Sequence, residues 1–130
     1  MRAAKESLRT LLLNSNETLQ TIDLGAGSNL LSTKSKRVCD IAQSYAKRPL
    51  YAQLLFRIAN HFRSQSILEL GTSLGLSSLY LAMHDSRARV ITLEGDPETA
   101  ACARRNIERM RVNNIEIFTG NFDEDRKSVV

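Results

Sequence analysis

The chain has 130 residues, room for one domain of ordinary size and not for two. It is 42% hydrophobic and 25% charged, a globular balance that excludes wholesale disorder, and no run reaches the roughly 18 apolar residues of a membrane span. Lys and Arg number 18 against 14 Asp and Glu, and the net charge of +4 permits an anionic partner without demanding one.

In chain order, residues 1–64 are expected to be mainly helical, an N-terminal cap. Leu8, Leu11 and Leu12 have helical spacing within Ala3–Leu13, and Asn14-Ser15-Asn16 breaks the pattern. A polar, glycine-containing stretch follows, from Thr21 to Lys36. Val38, Ile41, Ala42 and Tyr45 make a short helical face, and Pro49 stands where a new helix can start. Leu50, Leu54, Leu55, Ile58 and Phe62 then line one face of an amphipathic helix. From Ser66 the period changes. Ser66–Leu70 is a short β-run ending at Gly71, Leu76–Met83 a helix, and Val90–Glu94 a second β-run. Asp96-Pro97-Glu98 starts a helix, with Asp as N-cap and Pro at the first helical position. Ala100, Ala103, Ile107 and Met110 form its buried stripe. Ile115–Thr119 is a third β-run. Helices followed by β-α-β-α-β make an α/β protein, the first half of a Rossmann-like, doubly wound parallel sheet over residues 65–124.

The segment Glu69-Leu70-Gly71-Thr72-Ser73-Leu74-Gly75-Leu76-Ser77 carries the chemistry. Glycines directly after a strand let the backbone turn sharply and approach a ligand, and the next helix offers free N–H groups to an anion. Glu94 ends the following strand about 20 residues on, where such folds place an acid for ribose hydroxyls. Glu69 selects among nucleotides. A carboxylate beside the first glycine repels the pyrophosphate of NAD or FAD and suits a ligand bearing an amino group and a sulfonium. S-adenosyl-L-methionine fits, because its one anionic group is a carboxylate, which can take the helix N-terminus and the Ser77 hydroxyl. No Gly-Lys-Ser/Thr follows the loop, which excludes a P-loop NTPase. Ile22-Asp23-Leu24-Gly25-Ala26-Gly27-Ser28 offers a second glycine pattern, but no amphipathic helix or acid-tipped strand follows it, and it is taken as loop.

These motifs resemble the class I S-adenosylmethionine-dependent methyltransferases, in the branch of the small-molecule, catechol-type O-methyltransferases. Glu69–Ser77 is similar to that branch's first motif, Leu93-Glu94-Gly95-Asp96 to its second, and Gly120-Asn121-Phe122 to its third. The resemblance implies that Glu69 and the Gly71 carbonyl hold the methionine amino group, while Thr72, Ser73 and Gly75 line the loop. It further implies that Ser77 takes the carboxylate, Glu94 with Gly95 meets the ribose, and Asn121 with Phe122 flanks the adenine. The partner implied is a small-molecule methyl acceptor, not a membrane.

Two competing readings are set against this one. A nicotinamide-dependent oxidoreductase is opposed by Glu69. A nucleotide- or RNA-binding module would use Arg104, Arg105, Arg109 and Arg111, but no aromatic residues interleave for base stacking and Glu108 lies four residues from Arg104. His61 and His84 stand in no cluster of metal ligands or catalytic groups. Cys39 and Cys102 make no disulfide framework, no metal ligands are expected, and the first residues have no signal-peptide core, so a cytoplasmic protein is expected.

The resemblance implies a seven-stranded sheet, of which three strands are present, so the chain is expected to be a truncated N-terminal part without methyl-transfer activity of its own. Asp125-Arg126-Lys127-Ser128-Val129-Val130 is what GATCGGAAGAGCGTCGTG encodes, a string resembling the start of a common sequencing adapter whose next triplet is a stop. Residues 125–130 are therefore expected to be a non-native tail.

Overall fold

A computed structural model describes residues 2–23, 32–46 and 49–120. The elements run α1 (Arg2–Leu13), β1 (Thr18–Asp23), β2 (Ser32–Arg37), α2 (Val38–Ala46), α3 (Pro49–Phe62), β3 (Ser66–Leu70), α4 (Leu76–Ala82), β4 (Arg89–Glu94), α5 (Pro97–Arg109) and β5 (Ile115–Thr119). The Gly25–Ser28 stretch, Asn121, Phe122 and the expected tail all lie outside the described residues.

The parallel sheet forms as expected, in the order β3-β4-β5, with Glu69 opposite Thr92 and Glu94 opposite Thr119. The stripe on α5 is also borne out: Ala100 and Ala103 are fully buried, and Ile107 nearly so. Leu74 of the glycine loop, Leu79 of α4 and Cys102 and Ile107 of α5 join Leu8, Leu12, Leu19, Val38 and Ala42 in one core. The glycine loop is thus anchored from beneath by packing contributed from both halves of the chain. Both cysteines are buried and free, and burial pushes the Cys102 thiol up.

The expectation of mainly helix over residues 1–64, with a loop beginning at Ile22, is corrected: two strands form here, and Ile22 and Asp23 belong to the first. β1 and β2 pair antiparallel, from Thr18 opposite Arg37 to Asp23 opposite Ser32. Leu19 and Thr21 alternate inward on β1, with Leu19 in the core. β2 gives no such alternation, because Thr33, Lys34, Ser35, Lys36 and Arg37 are all exposed. A strand without a buried face has no period-2 apolar signal. Its pairing rests on the backbone ladder, helped by Thr21 Oγ1 donating to the Lys34 carbonyl at 3.0 Å and Gln20 Nε2 to Ser35 Oγ at 3.1 Å.

A second difference concerns α3. Leu50, Leu54, Ile58 and Phe62 share a face as the spacing predicts, but that face is exposed, with Leu50 at 74% and Phe62 at 73%. The inward contacts come from Leu55 and Ala59, which pack with Leu81, Ala82 and Val90. Leu68 and Leu70 of β3 are likewise exposed. In the described sheet β3 is an edge strand.

Candidate functional site

The site lies at the C-terminal ends of β3 and β4. Gly71, Ser73 and Gly75 all have left-handed backbones, with φ of 96°, 51° and 87°, so the chain curls tightly between β3 and α4. The Gly71 and Thr72 amides both donate to the Leu93 carbonyl, at 2.9 and 3.1 Å, which stitches the loop to β4. From behind, Asn106 Nδ2 of α5 donates to the Leu74 carbonyl at 2.9 Å. Asn106 is almost completely buried, so this bond satisfies a group that would otherwise be costly there.

The two glycines face different surroundings. Among the described residues, a Cβ built on Gly71 meets nothing within 4 Å, which leaves open space there above the loop. One built on Gly75 sits 3.4 Å from Ile107 Cδ1 and 3.5 Å from Ala103 Cβ. Gly75→Ala is expected to lower stability by about 1–2 kcal/mol, since the left-handed φ strains any L side chain and the facing helix is already in contact. Denaturant unfolding measures this, and an unchanged midpoint would contradict it.

The two acids of the site are both held by hydrogen bonds, Glu94 to the middle of the loop and Glu69 to the start of α4. Glu94 Oε2 accepts from the Ser73 amide at 2.8 Å, and Glu94 Oε1 from the Asp96 amide at 3.1 Å. Glu69 is held by hydroxyls. Ser77 Oγ donates to Oε2 at 2.7 Å, Thr92 Oγ1 to Oε1 at 2.7 Å, and Ser78 Oγ also to Oε1. Thr72, fully buried, adds a 2.7 Å contact between its hydroxyl and that of Thr92.

Glu69, Gly71, Thr72, Ser73, Gly75, Ser77, Glu94 and Gly95 are therefore brought to one end of the sheet. Gly120, whose amide donates to the Glu94 carbonyl at 3.0 Å, carries the chain from β5 to the same place. Ser77 is tied to Glu69 rather than standing free.

Ser78 and Thr92 escaped the sequence reading, although strand parity would have found the second. Thr92 is two residues before Glu94 on β4, hence on the same face, and in parallel register with Glu69. The role of Asp96 beyond its helix cap escaped as well. Its Oδ2 caps α5 by accepting from the Thr99 amide at 2.8 Å, and its Oδ1 accepts from the Ile22 amide of β1 at 2.7 Å.

A separate cleft of about 300 Å³ is lined by Asn60, Arg63, Gln65, His84, Asp85 and Arg87, below the N-terminal ends of β3 and β4. The side chains of Gln65, His84, Asp85 and Arg87 are engaged with one another or with the backbone. Arg87 pairs with Asp85 at 3.2 Å, and the two ring nitrogens of His84 contact the Leu81 and Ser64 carbonyls at 2.7 Å each. On α5, Arg104 donates to the Ile117 carbonyl and to Thr119 Oγ1 of β5, and Arg105 pairs with Glu17.

No protein-family model matches the sequence. A catechol O-methyltransferase from Niastella koreensis is 33% identical over 97 residues, which are 73% of this chain and 41% of that protein. The O-methyltransferase from Bacillus cereus, solved in complex with SAH, is 30% identical with a TM-score of 0.62, over 69% of this chain and 46% of that one. The cofactor-bound Rv0187 from MTB is 22% identical, a likeness of fold alone, with a TM-score of 0.62 over 98% of this chain and 46% of the other. The chain thus spans less than half the length of each of these relatives. In sequence and fold the chain is similar to part of the S-adenosylmethionine-dependent O-methyltransferases.

Proposed function

We propose that the chain is the N-terminal, cofactor-binding part of an S-adenosylmethionine-dependent methyltransferase that methylates an oxygen or nitrogen of a small molecule. The observation that supports this most is the unused acceptor capacity of the two acids. An ionised carboxylate offers about four lone-pair sites. Among the described residues, Glu94 uses one on each oxygen, toward Ser73 and Asp96, and retains one on each. Two acceptors on one rigid carboxylate suit a pair of neighbouring ribose hydroxyls. Among the described residues, Glu69 has both sites of Oε1 filled and one of Oε2, which leaves one acceptor for an ammonium N–H.

The open space over Gly71 fits a ligand that lies against the backbone there. When bound, S-adenosylmethionine supplies an electrophilic methyl group on a sulfonium. The residues of this chain would hold it: Glu69 and the Gly71 carbonyl at the amino group, Ser77 at the carboxylate through its backbone N–H because its hydroxyl proton is given to Glu69, Glu94 beside Gly95 at the ribose, Asn121 and Phe122 at the adenine. Thr72, Ser73 and Gly75 shape the loop between the two acids. Fixing the cofactor this way removes orientational freedom before the acceptor arrives, a large share of the rate in such displacements.

Residues 1–64 are read as a cap that includes the β1–β2 hairpin, residues 65–124 as part of the cofactor domain, and 125–130 as non-native. The 130 residues are expected to bind cofactor weakly. A cytoplasmic location belongs to the same reading, supported by two buried thiols that remain free. The nicotinamide alternative is opposed by Glu69, whose charge sits where a pyrophosphate would have to lie. The RNA-binding alternative is opposed by Arg104 and Arg105, both engaged within the fold. Equilibrium dialysis of the dilute chain tests the choice. S-adenosylhomocysteine should be retained and NADH should not; retention of NADH alone would overturn the proposal.

A further inference from the structure

We infer that Thr92, backed by Thr72, is a positioning residue that aims the Glu69 carboxylate at the cofactor's amino group. The inference rests on the function proposed above and adds to it a residue outside the three motifs.

The direction of each hydrogen bond follows from the inventory of protons. An ionised carboxylate only accepts, so at 2.7 Å Thr92 Oγ1 donates to Glu69 Oε1. That uses the one hydroxyl proton of Thr92. The 2.7 Å contact between the two threonine hydroxyls must then be Thr72 donating to Thr92. Both threonines are fully buried, so neither hydroxyl can turn to water instead. The result is a one-way chain, Thr72 to Thr92 to Glu69, in which each bond polarises the next. It runs from the glycine loop across β4 to β3 and makes the carboxylate's orientation depend on the loop's own conformation.

The chain also determines which oxygen stays available. Thr92 and the fully buried Ser78 together fill Oε1. Among the described residues, Oε2 carries Ser77 alone and keeps one acceptor site. Without the Thr92 hydroxyl, Oε1 regains a free site, and the carboxylate is no longer held with Oε2 toward the ligand. The effect should therefore fall on the amino-acid end of the cofactor and spare the nucleoside end, which Glu94 serves.

Thr92→Val keeps the shape and removes the donor, and Thr92→Ser keeps the donor. Two probes separate the ends: S-adenosylhomocysteine, which has the amino group, and 5′-methylthioadenosine, which lacks the amino-acid portion. By equilibrium dialysis, Thr92→Val is expected to weaken S-adenosylhomocysteine about 10-fold, the scale of one charge-assisted hydrogen bond, and to leave 5′-methylthioadenosine within about twofold. Thr92→Ser should restore most of the S-adenosylhomocysteine affinity. Unchanged S-adenosylhomocysteine binding by Thr92→Val would overturn the inference alone. So would an equal loss of both probes, the mark of a damaged pocket or fold, or a failure of serine to rescue. If the wild-type chain retains neither probe, the proposed function falls and this inference with it.

Discussion

Replacing Glu94 by alanine is expected to weaken S-adenosylhomocysteine binding by about 10- to 100-fold. Hydrogen bonds to a charged group are worth roughly 1.5–3 kcal/mol, and each 1.4 kcal/mol is a factor of ten in affinity. Two features set the size of the effect. The carboxylate would accept from the ribose with its two spare sites, and it also braces the loop through the Ser73 amide. Alanine removes both, and leaves the Ser73 and Asp96 amides without their partner. Glu94→Gln, which keeps one carbonyl oxygen at the same reach, should lose less. Calorimetric titration measures both variants, and a dissociation constant unchanged in Glu94→Ala would remove this residue from the site.

Asp96→Ala is expected to cost about 2–3 kcal/mol of stability and to lower the melting temperature by about 10 °C. Asp96 is nearly buried, 7% exposed, and serves three donors from two parts of the chain. One oxygen takes the Thr99 amide at 2.8 Å and the Thr99 hydroxyl at 2.6 Å, which caps α5. The other takes the Ile22 amide at 2.7 Å, which pins the end of β1 to the start of α5. Loss of an N-cap costs about 1 kcal/mol, and the stranded Ile22 amide and Thr99 hydroxyl add to it. Asp96→Asn should recover part of the loss, since an amide oxygen caps nearly as well. Thermal unfolding followed by circular dichroism decides it, and a shift in Asp96→Ala below about 2 °C would show that the hairpin is held by other contacts.

Much of the cofactor half was legible because its signals are local. Asp96-Pro97-Glu98 starts a helix by capping chemistry, and the stripe from Ala100 to Ile107 repeats at helical spacing. Ser66–Leu70 is a short β-run ended by Gly71, although which of its faces is buried was not legible, since Leu68 and Leu70 are the exposed ones. From such local runs the motif acids could be placed at strand ends. What could not be read depended on pairing across distance. β2 has no apolar face, so only its partner β1 makes it a strand. The outward face of α3 has helical spacing like that of any buried stripe, and burial is a property of the neighbour, not of the period. Thr92 has no motif of its own; its importance comes from standing opposite Glu69 in the parallel register. The link between Asp96 and Ile22 joins residues 74 positions apart, and nothing near either residue announces the other.

The central claim is that S-adenosylmethionine's place is the loop between Glu69 and Glu94. Titration of the ¹⁵N-labelled chain with S-adenosylhomocysteine, read amide by amide, tests it most directly. The Gly71, Ser73, Gly75 and Asp96 amides should shift together and saturate at one dissociation constant, while those of Arg63, Gln65 and Arg87 at the opposite end of the sheet stay in place. Shifts confined to that opposite end, or none at all at saturating ligand, would contradict the account.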